Sequence, residues 1–133
     1  MSKKPIIASG ARKKAVARAT IKPGTGLITV NNQVIETVEP RMSRLKIQTP
    51  SFIAPEACKK FDVSVKVNGG GKNSQAEAAA QAIAKALVES DKKLEKPFLD
   101  YDRRLLVADV RQREERKPNC RGKARSKRQK SYR

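Results

Sequence analysis

Three consecutive glycines and a lysine, Gly69 to Lys72, stand between "FDVSVKVN" and an alanine-rich run. Glycine has no Cβ, so bare N–H groups at such a junction can approach a phosphate closely, and a helix N-terminus adds positive potential. A nucleotide-binding P-loop needs G-x-x-x-x-G-K followed by Ser or Thr. Here Asn73 follows Lys72 and the glycine spacing differs. Two readings stay open: a tight strand-to-helix turn, and a cradle for a phosphate of a nucleic-acid backbone. Asp100 and Asp102 flank Tyr101. An acid/base pair would need a cleft and raised pKa values. Arg103 and Arg104 follow at once, which favours a solvated or ion-paired role. The chain has no His, so Ser9, Ser43, Ser64 and Ser74 have no imidazole to activate them. No catalytic constellation emerges, and no enzyme is expected. Two cysteines without His do not make a structural zinc site. A disulfide between Cys58 and Cys120 stays compatible with the sequence. The favoured reading makes Cys58 a small core hydrophobe and Cys120 a free thiol in a reducing compartment. No metal, cofactor or small-molecule substrate is expected.

Charge supplies the stronger signal. Thirty-one Lys and Arg face 13 Asp and Glu, a net of +18 in 133 residues, with a pI near 10.4. A compact chain of that charge repels itself and needs a polyanion. From Arg111 to Arg133 there are 11 Lys and Arg against 2 Glu, half of the net charge. Such a segment cannot fold alone and gains order on a partner. A second basic cluster, Arg12, Lys13, Lys14 and Arg18, lies near the N-terminus. A solvated lysine-rich surface explains a modest excess, not this one, so polyanion binding is expected. The tail lacks the wide apolar face of an interfacial membrane helix. No recognition helix for DNA is evident. Arg with interspersed Tyr, Gln, Asn and Ser suits RNA, because guanidinium groups fork onto phosphates and stack on bases. The N-terminus holds no apolar run long enough for a signal peptide or a membrane span, so the cytoplasm is the expected location.

The elements that must position these residues follow from periodicity. "AVARATIK" alternates, with Ala15, Ala17, Ala19 and Ile21 on one face and Val16, Arg18, Thr20 and Lys22 on the other. "PGTG" is a turn, "LITV" a strand, Asn31-Asn32 another turn, and "QVIETV" a paired strand or a loop. A helix is expected from Pro40 over "RMSRLKI", ending before Pro50, with a short helical piece from Pro55. "FDVSVKVN" predicts a strand with Phe61, Val63, Val65 and Val67 on the covered face and Asp62, Ser64, Lys66 and Asn68 on the wet face. The run after Gln75 predicts a helix with Ala76, Ala80, Ile83 and Leu87 in one stripe, and an exposed Lys85–Glu89 pair. A short helix and a short strand at "LLVADV" are expected before the tail. The chain therefore divides into an α/β domain over 1–110 and a basic extension over 111–133.

These stretches resemble the small-subunit ribosomal protein S9 family. "GARKKAVARATIKPGTGLITVN" and "GGGKNSQAEAAAQAIAKAL" are similar to the family's opening and signature, and "DYDRRLLVADVR" with "QKSYR" to its archaeal and eukaryotic branch. The resemblance implies an α+β fold: a two-layer sandwich of the ribosomal protein S5 domain 2-like type. It carries a left-handed βαβ crossover and an extended basic C-terminal tail. It implies a structural constituent of the small ribosomal subunit, bound to ribosomal RNA in the head beside neighbouring head proteins. It also implies a tail that reaches the anticodon stem-loop of the peptidyl-site tRNA. The rRNA-binding residues expected are Arg12, Lys13, Lys14, Arg18, Gly69, Gly70, Gly71, Lys72, Arg111, Arg121, Lys123 and Arg125. Those expected near tRNA are Lys127, Arg128, Gln129, Lys130, Ser131, Tyr132 and Arg133. Fully extended, 23 residues span roughly 75 Å at about 3.3 Å each. The alternatives are a free, sequence-nonspecific basic nucleic-acid-binding protein and a small-molecule kinase of related fold.

Overall fold

The computed structural model describes residues 5–126. Strand β1 (Ile6–Arg12) turns through Lys13 and Lys14 into β2 (Ala15–Pro23), antiparallel with Arg12 opposite Ala15. The turn "PGTG" leads to β3 (Ile28–Val30). Asn31 and Asn32, both at positive φ, turn it into the short β4 (Gln33–Val34). Helices α1 (Arg41–Ile53) and α2 (Pro55–Cys58) carry the chain to β5 (Phe61–Asn68). Helix α3 (Lys72–Ser90) follows, then α4 (Glu95–Tyr101) and a 3-10 turn at Arg103–Leu105. The sheet order is β1-β2-β5-β3-β4. Among the described strands only β3 and β5 pair in parallel, and α1 and α2 lie between them in the chain.

Alternation along the strands separates two faces. Ala15, Ala17, Ala19, Ile21, Val63 and Val65 are at most 2% exposed and face the helices. The opposite face of β2 and β5, with Val16, Arg18, Ser64, Lys66 and Asn68, is open. Helix α3 lies against β1, β2 and β5 and is buried beyond its expected stripe. Ala78, Ala79, Ala82, Ala84 and Ala86 are also inaccessible because α1 and the 3-10 turn at Arg103–Leu105 cover its flanks. The close approach requires Gly10. A Cβ there would stand 2.3 Å from the Ala78 carbonyl oxygen and 2.7 Å from the Ala82 nitrogen. Gln81, 3% exposed, accepts from the Ala11 N–H at 2.9 Å and so ties the helix to the edge strand.

Three local expectations are corrected. Helix α1 runs through Pro50 instead of ending before it. An interior proline forfeits one hydrogen bond, and full burial of the Pro50 ring offsets that loss. "LLVADV" makes no strand, only a single bridge between Arg12 and Asp109. Lys85 donates to the Ser9 carbonyl at 3.2 Å and is not paired with Glu89. Both cysteines are free, Cys58 in the core, where burial pushes its thiol pKa up.

Candidate nucleic-acid interface

The register of β2 against β5 builds a basic surface on the open face. Arg18 is directly opposite Lys66, and Val16 is opposite Asn68. Lys14 follows on the same side, at the mouth of the turn. The next row is neutral: Thr20 opposite Ser64. The nearest acid on this face is Asp62, opposite Lys22 at the far end of β5. Its carboxylate is committed to backbone, accepting from the N–H groups of Thr25, Gly26 and Leu27 at 2.8 to 3.0 Å. Those donors, Leu27 and then Thr25 foremost, hold the carboxyl below its usual pKa range. Beyond the Arg18–Lys66 row the surface opens into a concavity of about 870 Å³. Lys14, Arg18 and Lys66 line it, with Asn32, Asn68 and Gly69, and no acid contributes to it.

The three glycines are not equivalent. Gly69 and Gly70 have φ of +73° and +66°, which L side chains rarely adopt. A Cβ at Gly69 would stand 2.5 Å from the Lys14 carbonyl oxygen, and one at Gly70 2.9 Å from Ala15. The tight-turn reading explains both. Gly71 caps α3 in extended backbone with nothing near its Cβ position, so nothing in this chain demands glycine there. Lys72 begins α3, and the Gln75 amide donates back to the Gly69 carbonyl at 3.0 Å.

The remaining basic residues lie elsewhere. Arg12 is on the helix-facing side of the hairpin, away from Arg18. Its Nε donates to Glu77 at 3.0 Å, and its guanidinium also meets Asp109 and the Arg111 carbonyl. Glu77 takes Lys46 as well, at 3.1 Å. Burial raises the Glu77 pKa, and Lys46 with Arg12 more than offsets it, leaving the carboxyl below its usual range. Arg111 forks onto Asp109 and holds it well below the ordinary carboxylate range, helped by its own N–H and by Arg12. Gln112 donates to the Lys13 carbonyl at 3.2 Å. The root of the basic segment is thus fastened to the β1–β2 turn. Residues 110–126 form no helix or strand. Arg125 pairs with Glu114, and the N–H of Lys117 donates to the Lys123 carbonyl in a small turn that includes Arg121. Lys127, Arg128, Gln129, Lys130, Ser131, Tyr132 and Arg133 lie outside the described residues.

The structure therefore brings Lys14, Arg18 and Gly69 together, with Lys13 adjacent. It sets Arg12 and Arg111 apart in ion pairs. Lys66 and Asn68 join the surface without having been singled out by motif; their place on the wet face of "FDVSVKVN" was the available signal. Arg12, Glu77, Asp102 and Arg104 line a second hollow of about 320 Å³. Its charges are mostly paired internally, and Asp102 caps the following turn by accepting from the Arg104 N–H. No group of three or more metal-ligating side chains occurs among the described residues, nor any helix long and apolar enough to cross a membrane.

The described residues form a mixed α+β fold with a five-stranded sheet, one face of which is open and basic. The chain belongs to the ribosomal protein family described as S9/S16, whose model matches residues 10–133. It is 47% identical over 130 residues to the small ribosomal subunit protein uS9 of Thermoplasma acidophilum, covering 96% of this chain and 100% of that one. It is 45% identical over 132 residues to the protein of that name from Methanothrix thermoacetophila, covering 98% and 99%. For Methanococcus maripaludis the figures are 46% over 127 residues, 93% and 95%. These relatives are archaeal, within the archaeal and eukaryotic branch that "DYDRRLLVADVR" and "QKSYR" resemble. The family consists of ribosomal structural proteins and not enzymes, and its place is the cytoplasmic ribosome.

Proposed function

We propose that this chain is a structural constituent of the small ribosomal subunit that binds small-subunit rRNA in the head through its open sheet face. Its fold is of the ribosomal protein S5 domain 2-like type, with a left-handed βαβ crossover between β3 and β5. Its segment 111–133 is an extended basic tail that threads RNA and reaches the anticodon stem-loop of the peptidyl-site tRNA. Small-subunit rRNA, P-site tRNA and neighbouring head proteins are its partners. One observation carries the RNA reading. Arg18 and Lys66 face each other across adjacent strands with no acid in their row. Like charges directly opposite are destabilising, and a phosphate between them removes the repulsion. Lys13 and Lys14 extend the surface, and Gly71 with Lys72 leaves the start of α3 open to a phosphate. Arg121, Lys123, Arg125 and the residues beyond neutralise further phosphates and release counterions.

Sedimentation of a cell lysate on a sucrose gradient after a high-salt wash tests this reading, with the chain followed by antibody. Salt strips casual electrostatic binders but not a protein woven into folded RNA. Retention at one copy per small subunit is expected. Release to the top of the gradient would overturn the proposal in favour of a free, nonspecific nucleic-acid-binding protein.

A further inference from the structure

The sheet-face concavity has a composition that phosphate binding alone does not require. Its cations form two rows, Arg18 with Lys66 and, at the other end, Lys14 beside the Gly69 turn. Between them lies Val16 opposite Asn68. Val16 is 55% exposed, an apolar floor between two charged rows. Asn32 and Asn68 are exposed. The nearby Asn31 amide is already committed to β5, accepting from the Val67 N–H at 2.9 Å and donating to the Val67 carbonyl. An A-form duplex offers such a hollow phosphates, 2′-hydroxyls and minor-groove base edges but no base face, because its bases are stacked on one another. An unpaired nucleotide offers all the complementary parts: flanking phosphates for the cations, an apolar base face for Val16, and polar base edges for carboxamides.

We infer that this concavity holds a single extruded nucleotide of a bulge or loop in RNA. Arg18, Lys66 and Lys14 take the flanking phosphates, Val16 supports the base, and Asn68 with Asn32 meets its edge. The inference rests on the RNA-binding reading above and specifies the RNA form that the surface selects. The chain order fixes the arrangement: Lys14 in the turn, then Val16 and Arg18 two residues apart on the open face of β2. The base seat therefore lies between the two phosphate seats and not beyond them.

The test compares two labelled RNA hairpins by fluorescence anisotropy on the full chain. One is fully paired; the other is the same hairpin with one bulged nucleotide, randomised in identity. Preference for the bulged hairpin is expected. Val16→Ser and Asn68→Ala should each weaken bulged binding by about three- to tenfold, the scale of one lost contact. Paired binding should change by less than about twofold on that scale. Lys66→Ala should weaken both and lower the salt slope by about one. Val16 and Asn68 are exposed, and unchanged melting of the free Val16→Ser and Asn68→Ala variants checks the fold. Equal affinity for the two hairpins, or equal losses on both in Val16→Ser and Asn68→Ala, would overturn the extruded-nucleotide site while RNA binding stands. Failure to bind either hairpin at low salt would defeat the RNA-binding reading and this inference with it.

Discussion

Arg18 and Lys66 are a pair that stability alone would not select. Cross-strand pairs contribute up to about 1 kcal/mol, and like charges work against the sheet. Lys66→Thr supplies a β-branched residue and removes the repulsion. The free protein should gain about 0.2–1 kcal/mol, read from urea unfolding, while its affinity for small-subunit rRNA falls. A loss of stability together with unchanged RNA binding would make Lys66 a structural residue. Arg12 shows the opposite case. It belongs to the same basic run as Lys13, Lys14 and Arg18, yet the two-residue turn puts it opposite Ala15, on the helix side. There it serves Glu77 and Asp109. Sequence adjacency grouped the four residues, and strand register divided them. The partnership of Arg18 with Lys66 was not legible for the same reason: 48 residues separate the two, and only the pairing of β2 with β5 sets them opposite each other.

Elements were legible where one signal dominated. Period-two alternation located β2 and β5 and sorted the residues of each onto two faces, because apolar residues alternate there with mostly polar ones. Alanine density located α3. Strand β1, "IIASGAR", has small residues on both faces and no clear alternation, and only its pairing with β2 shows it. Pro50 reads locally as a stop and so predicts a shorter α1, whereas tertiary burial decides. The β1–α3 contact depends on Gly10 in a way no local pattern reveals. Gly10→Ala places a methyl against backbone atoms of Ala78 and Ala82, which no rotamer change can relieve. We expect a destabilisation of about 1–3 kcal/mol or more, measured by denaturant unfolding. A change within about 0.5 kcal/mol, the range of an ordinary surface substitution, would show that the helix can retreat freely.

At the scale of the whole molecule, carboxylates hold the basic parts together. Glu77 joins α3 to Arg12 and Lys46, and Asp109 fastens Arg111 and Arg12 at the root of the extension. Both carboxyls have folded pKa values below their ordinary ones. Their contribution is therefore complete above about pH 4, the ordinary carboxylate value, and is lost as pH falls through the lower folded values. Urea midpoints should stay level from neutral pH down to the ordinary carboxylate range and fall below it. Glu77→Gln should start lower at neutral pH and decline less in acid. A variant curve parallel to that of the parent protein would refute the linkage.

The alanine packing of α3 against the sheet has a thermodynamic consequence. Among the described residues, eleven of the 24 buried apolar ones are alanine, and Phe98 is the only aromatic of that set. Alanine removes little apolar area from water, and the heat capacity of unfolding follows that area. The increment for this domain should lie below the usual 12–15 cal/mol/K per residue or so. Its stability then varies only gently with temperature, and cold weakens it less than it weakens a core built of large side chains.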